Sequence, residues 1–304
     1  MQRKWVYGLM VLSAVGTIAT VLALQSANRP AEGTTTDPEL VSYDGQDRRG
    51  GDFRIYGLTG GKTLVSVRGD DPDKVRNIGN ISGLQGDTKV VGIDFRVQDG
   101  KLHAVGDKGG IYTINTDNAK AAKVSQLTVA LSGTDFDIDF NPAANRLRVV
   151  SDNGQNLRHN IDDPAGAPAA GVTVADTALT TPPTAGNTAG VTGAAYTNND
   201  INADTATTLY DLNTMTDQIA VQSPANNGTL APTGKLMVDA TGDAGFDIAS
   251  TLRGGVTVGN AAFASLKVDG RYRLYRVDLL TGRVGNLGSF PSKTQVTDVA
   301  VTTR

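Results

Sequence analysis

The 304-residue sequence predicts an all-β fold, and within that class a β-propeller of five blades closed by pairing the C-terminal strand with the N-terminal blade. Three observations lead there. Gly, Thr, Val, Asn and Asp are abundant, and beyond the N-terminus no long segment carries apolar residues at helical spacing. Two short units alternate along the chain, five copies of each. The chain begins partway through one repeat and finishes with the strand that this repeat lacks.

Arg3 and Lys4 precede an uncharged, mostly apolar run from Trp5 to Leu24. A basic flank followed by such a run is an export signal, and its length would also just span a bilayer. Residues 1–27 are therefore expected to be a signal peptide or an N-terminal membrane anchor, and membrane contact is expected only through this segment if it is retained. Residues 28–51 are polar and rich in Pro, Gly, Thr and Asp, the composition of a flexible linker. The propeller domain is expected over 52–304, outside the cytoplasm.

The first recurring unit is an apolar residue opening a short strand: Leu64-Val-Ser-Val, Ile111-Tyr-Thr-Ile, Leu157-Arg-His-Asn, Leu209-Tyr-Asp-Leu and Leu274-Tyr-Arg-Val. The second places a small or acidic residue, then an apolar one, then often Asp: Gly92-Ile-Asp-Phe, Asp137-Ile-Asp-Phe, Gly193-Ala-Ala-Tyr, Asp247-Ile-Ala-Ser and Asp298-Val-Ala-Val. Spacings of about 40 to 50 residues mark a ring or solenoid of repeats. Pairing Val296–Thr302 with Phe53–Leu58 closes the ring and leaves no exposed edge. Two places are irregular. Little room separates the Gly193 unit from Leu209, so Ala194 to Thr197 fits either the first or the second strand of its blade. Asp163 to Gly190 reads as an excursion rather than a sheet. Six blades or an open ring are the alternatives these irregularities leave.

The densest charge pattern lies in a meander from Phe136 to Ile161. Phe136, Ile138 and Phe140 alternate with Asp137 and Asp139, a turn follows at Asn141, Pro142 and Asn145, and Leu147 and Val149 then alternate with Arg146 and Arg148. After a second turn, Asn156 to Ile161 gives a third strand. Asp137, Asp139, Arg146, Arg148, Asp152, Asn156 and Arg158 are the candidate binding residues.

The runs Leu-Arg-Val-Val-Ser-Asp-Asn-Gly-Gln-Asn-Leu-Arg at 147 to 158, Gly-Ala-Ala-Tyr-Thr-Asn-Asn at 193 to 199, Thr-Thr-Leu-Tyr-Asp-Leu at 207 to 212 and Pro-Ala-Asn-Asn-Gly-Thr-Leu at 224 to 230 closely resemble the bacterial proteins grouped as domain of unknown function 4394. The resemblance covers about residue 53 to 301. It implies an exported, propeller-like bacterial domain and brings no activity, ligand or catalytic residue with it.

Asp94, Asp137, Asp139, Asp247 and Asp298 all fall on the second unit. In a propeller the first strand of each blade lines the central channel, so these carboxylates are expected to converge there. Two readings follow. Several hard oxygen ligands at one point suit calcium or magnesium, with calcium the candidate cofactor. Alternatively each Asp pairs with Arg146, Arg148, Arg158 or a backbone N–H and latches adjacent blades. The latch is favoured, because the arginines share the meander with the acids. A further loop, Asp200-Ile-Asn-Ala-Asp204 with Asp211 beyond, resembles the start of a calcium loop, but Thr205 stands where Gly is needed and Asp where a bidentate Glu would close it. His103 and His159, the only histidines, lie on expected strands and read as structural.

Composition excludes several classes. Without cysteine there is no disulfide, zinc-thiolate cluster, thiol nucleophile or lipid-modified cysteine. A net charge of −3 with no basic stripe gives nucleic acid no electrostatic footprint. The only glutamates, Glu32 and Glu39, precede the domain, so its carboxylate chemistry rests on Asp. No serine elbow or phosphate-binding glycine loop is present. The expected function is an exported, non-catalytic binding or scaffold module with a protein or glycan partner in the cell envelope. The rival is a metal-dependent hydrolase or lyase with an Asp-lined channel.

Overall fold

The structure is a computed structural model that describes residues 53–302. The signal or anchor over 1–27 and the linker over 28–51 lie outside the described residues. The domain contains five four-stranded antiparallel sheets. In chain order, β1 (Arg54–Thr59), β2 (Thr63–Arg68) and β3 (Asp71–Asn80) belong to blade 1. Blade 2 is β4 (Val90–Arg96), β5 (Lys101–Gly106), β6 (Gly110–Ile114) and β7 (Ala121–Gln126). Blade 3 is β8 (Phe136–Asn141), β9 (Arg146–Ser151), β10 (Asn156–His159) and β11 (Thr173–Ala175). Blade 4 is β12 (Val191–Tyr196), β13 (Leu209–Asn213), β14 (Gln218–Gln222) and β15 (Leu230–Lys235). Blade 5 is β16 (Gly245–Arg253), β17 (Val256–Val268), β18 (Arg271–Val277) and β19 (Val284–Ser289). The last strand, β20 (Val296–Val301), pairs with β1 in the register Ile55↔Val301 to Leu58↔Asp298 and so supplies the inner strand of blade 1. The closure expected from the out-of-phase ends is the one observed.

All five copies of the Asp-bearing unit lie on inner strands, and each inner strand neighbours the next: β4 with β8, β8 with β12, β12 with β16, β16 with β20, and β20 with β4. The ring is therefore complete, with five blades. Four copies of the other unit lie on third strands, at β2, β6, β10 and β18. The Leu209 copy does not: it opens β13, the second strand of blade 4, and the third is β14. The twelve-residue connection over 197–208 displaces the repeat and hides this register from the sequence. Ala194 to Thr197 accordingly begins in the first strand, β12. The Asp163–Gly190 stretch carries one strand, β11, the short outer strand of blade 3.

Apolar clusters fill the seams between successive blades. Ile93, Leu102 and Tyr112 of blade 2 pack with Leu58 and Leu64 of blade 1, and Ile138, Leu147 and Val149 of blade 3 pack with Val105 and Ile111 of blade 2. Phe246 and Ile248 meet Leu212 and Ile219 across the blade 4–5 seam, while Phe263 and Leu274 meet Ile55 and Val65 across the closing seam. Because each blade is covered on both faces, its central strands are buried on both sides, as in Arg146–Ser151 and Val191–Tyr196. Simple alternation is consequently lost there.

Candidate functional site at the ring axis

Aligning the inner strands by structure gives two tiers of side chains facing the axis. The first holds Gly92, Asp137, Gly193, Gly245 and Asp298, and the second, two residues on, holds Asp94, Asp139, Ala195, Asp247 and Ala300. The period of two along each strand places both tiers on one side. Crowding explains the small residues. A Cβ at Gly193 would lie 2.7 Å from the Cβ of Phe246 in the next blade.

The carboxylates follow one bonding rule. Asp298 accepts from the N–H of Val299 on its own strand at 2.7 Å and of Ile93 on the next inner strand at 2.7 Å. Asp137 does the same with Ile138 at 2.8 Å and Ala194 at 2.9 Å. In the second tier, Asp94 takes Phe95 at 2.6 Å and Phe140 at 2.8 Å, and Asp247 takes Ile248 at 2.5 Å and Val301 at 2.5 Å. The Tyr196 N–H on the next strand acts favourably on the Asp139 carboxylate, but Asp139 Oδ1 has no partner among the described residues. The carboxylates thus join neighbouring blades through backbone N–H groups. A hydrogen bond of this kind contributes about 0.5–1.5 kcal/mol, and more when the carboxyl carries its charge.

Electrostatics set these acids apart. All five are buried, from 1% exposed for Asp137 to 6% for Asp94. Burial, followed by repulsion from Asp247, holds Asp94 well above the usual carboxylate range, and burial followed by repulsion from Asp94 and Asp247 does the same to Asp139. Burial and the Asp298 charge raise Asp137. Burial pushes Asp298 up to about 8 and Asp247 up to about 6, and the backbone bonds oppose it in both.

The predicted arginine partners are elsewhere, and this corrects part of the latch reading. Arg146 pairs with Asp163 at 3.0 Å; Arg148 and Arg158 both pair with Asp176, at 2.7 and 3.1 Å. Arg148 is the cross-strand partner of Asp139, yet its guanidinium lies against Asn156, Asp176, Asn226 and Tyr196. Asp152 binds the N–H and hydroxyl of Thr134 at 2.8 and 2.6 Å, a turn latch that Asp107 and Thr88 repeat in blade 2. The seven candidate binding residues are therefore spread over the axis, the outer part of blade 3 and one turn, and they form no single site. Asp163 and Asp176, the true partners of these arginines, lie in the segment that reads as an excursion.

The first carboxylate of the calcium-like loop is met by backbone N–H groups. Asp200 accepts from Asn202 at 2.9 Å and from Thr257 of blade 5 at 2.8 Å, while Asp211 is on β13, buried, with neither oxygen partnered among the described residues. Burial pushes Asp211 up to about 8, opposed by the Arg148 charge. His103 bonds Asp99 at 3.0 Å and lies edge-on to Phe140. His159 sits between Ser125 and Thr173, and burial lowers it to about 4. Both are packed strand residues.

One surface escaped the sequence reading. The 197–208 connection is tied to the hairpin joining β16 and β17. Asn198 and Asn260 exchange bonds at 3.1 and 2.7 Å, and Asn199 donates to Ser250 Oγ at 2.8 Å and to the Ile248 carbonyl at 2.6 Å. The resulting ridge exposes Ile201, Val256 and Val258. Gly254-Gly255 between alternating residues was the available signal, a two-glycine hairpin turn. A cavity of about 450 Å³ lies on blade 2 instead, lined in part by Phe95, Leu102, Ile114 and Asn118, and none of the axial acids reaches it.

Fold and axis define the class: a closed five-bladed β-propeller latched by buried aspartates. Residues 63–300 match the family model described as domain of unknown function (DUF4394), and the chain belongs to that family. No curated protein matches it. Among solved structures it is similar to a structural genomics protein of unknown function from Bacteroides thetaiotaomicron (TM-score 0.42, 12% identity, 81% of this chain and 63% of that one). An auxiliary nutrient binding protein from the same organism gives TM-score 0.42 and 10% identity, covering 81% and 60%, and a Lactobacillus plantarum protein gives 0.36 and 18%, covering 78% and 66%. The chain thus spans less than two thirds of these proteins' lengths.

Proposed function

We propose that the domain is a non-catalytic binding module that works outside the cytoplasm and recognises a protein partner through the ridge of blades 4 and 5. The braced ridge carries this reading. Two loops from different blades hold each other through side-chain and backbone bonds, and the apolar residues between them face solvent, with Ile201 at 72% and Val258 at 56% exposure. A preorganised surface loses little conformational entropy on binding, and grouped apolar side chains gain by leaving water. The aliphatic character of the group suits a protein surface. The hydrolase reading draws less support, because a catalytic carboxylate must reach its substrate and the axial acids are 1–6% exposed. The apolar run over residues 5–24, read as an export signal, supports a partner in the cell envelope, with the segment either removed or kept as an anchor.

Photo-crosslinking of the full chain in the cell envelope tests the proposal. A photoreactive residue at Ile201 or Val258 is expected to give a discrete adduct, and one at Met215, exposed on a turn at the other end of blade 4, is expected to give none. Absence of the ridge adduct, or saturable turnover of a glycan, lactone or phosphoester that Asp137→Ala abolishes in folded protein, overturns it.

A further inference from the structure

The second axial tier has more acceptors than donors. Five blades present five N–H groups at the level of this tier: Phe95, Phe140, Tyr196, Ile248 and Val301. Asp94, Asp139 and Asp247 present six oxygens. Four of these donors fill both oxygens of Asp94 and both of Asp247, the Tyr196 N–H acts on Asp139, and Asp139 Oδ1 has no partner among the described residues. Phe140 N–H, which on the pattern of the other strands could serve its own neighbour Asp139, is given to Asp94 instead. Asp139 is 2% exposed, so water does not reach this oxygen from the surface. A buried, unpartnered carboxylate oxygen is costly unless something positive meets it.

The first tier supplies an internal contrast. Asp137 and Asp298 have four oxygens and four N–H partners. Nothing there is left unmet.

Geometry then singles out the second tier. One oxygen from each of Asp94, Asp139 and Asp247 lies within 4.8 Å of the other two, and all three residues are buried. No Lys or Arg is among the charges acting most strongly on them. From the orphaned Asp139 oxygen and the convergence of these three carboxylates, we infer that the axis holds one divalent cation, calcium, bound by Asp94, Asp139 and Asp247. Hard, all-oxygen donors disfavour soft metals. Calcium tolerates irregular shells at about 2.3–2.6 Å, whereas magnesium demands a near-ideal octahedron at about 2.0–2.1 Å. Carboxylates pinned by N–H groups on separate strands suit the first requirement and resist the second. Each oxygen that accepts an N–H retains a second lone pair for the ion. The ion fastens β4, β8 and β16 to one another, a structural role that does not depend on what the ridge binds.

The test uses the full chain refolded from denaturant, once in EDTA and once in each of calcium, magnesium and manganese chloride, with metal content measured after dialysis. One calcium per chain, and a melting midpoint several degrees above the EDTA sample, is the expected result. Asp139→Asn keeps an acceptor for Tyr196 and is expected to weaken calcium binding at least tenfold, while Asp298→Asn in the first tier is expected to leave the stoichiometry at one. Circular dichroism confirms that each variant is folded. No bound calcium in folded wild-type protein overturns the inference, as does full calcium retention in the Asp94→Asn, Asp139→Asn, Asp247→Asn triple variant. Tighter binding of magnesium or manganese overturns the choice of ion.

Discussion

The ring axis and the outer part of blade 3 are both built on aspartate, and they neutralise it by opposite means. At the axis, Asp94, Asp137, Asp247 and Asp298 each accept two backbone N–H bonds and meet no arginine among the described residues. Around blade 3, Asp162 accepts from the two terminal guanidinium nitrogens of Arg96, Asp163 pairs with Arg146, and Asp176 is shared by Arg148 and Arg158. Space decides between them. Inner strands converge so closely that Gly and Ala alternate with Asp, and a guanidinium on its long stem has no room. Farther out the blades diverge, and arginines lie along the seams with Arg148 almost fully buried. Axial acids therefore stay hard to ionise, while Asp162 and Asp163 are lowered, the first chiefly by Arg96 and the second by the Ala165 N–H and Arg146.

Breaking the blade 3 network has the largest expected effect. Arg148→Met removes four polar contacts and leaves Asn156 and Asn226 short of a partner. Losing one member of a buried ion pair costs about 3–5 kcal/mol, a fall of about 10 °C in melting midpoint for a domain of this size. At the axis, Asp137→Ala orphans the N–H groups of Ile138 and Ala194. Each buried donor left unmet costs about 1–3 kcal/mol, but relief of the repulsion on Asp298 offsets part of it, so a loss of about 2–4 kcal/mol is expected in thermal or denaturant unfolding. A loss from Asp137→Ala larger than that from Arg148→Met would reverse the ranking of the two regions.

The pH dependence sharpens the contrast. Burial raises Asp211 and Asp243 to about 8, against about 3.9 in the unfolded chain. Between these values the native state holds protons that the unfolded state has released, so stability falls as pH rises from about 4 to 8. Asp107, lowered to about 2 by its bonds to Thr88 and Lys89, acts the other way and loses its contribution as pH falls from about 4 to 2. Melting in EDTA is thus expected to peak near pH 4–5. Asp211→Asn should flatten the decline above that peak, and an unchanged slope would remove Asp211 as one of its sources. The smallest effect is expected at the surface pair Arg68–Asp70, where both side chains are solvated: Asp70→Asn should leave the midpoint unchanged.

Sequence alone went far with the scaffold. Phe136, Ile138 and Phe140 alternating with Asp137 and Asp139 marked an inner strand correctly, and the same unit located the other four. The mismatched ends predicted that β20 closes onto β1. Leu209 misled, because a long connection over 197–208 shifts the repeat and local pattern carries no count of strands. Charge proximity misled as well: Asp139 and Arg148 are cross-strand partners, yet the arginine reaches Asp176, a residue in a stretch without strand periodicity.

What the sequence determined by itself is the class of fold, the closure of the ring and which five acids face its axis, because strand periodicity and repeat spacing are local properties written into the chain. What tertiary structure decided is how those acids are satisfied. The donors for Asp298 and Asp247 come from strands more than fifty residues away, at Ile93 and Val301, and the imbalance of six oxygens against five N–H groups exists only once five strands meet. Neither the orphaned oxygen of Asp139 nor the bracing of the ridge by Asn198 and Asn260 is visible until the blades are assembled, since both depend on separations set by packing and not by spacing along the chain.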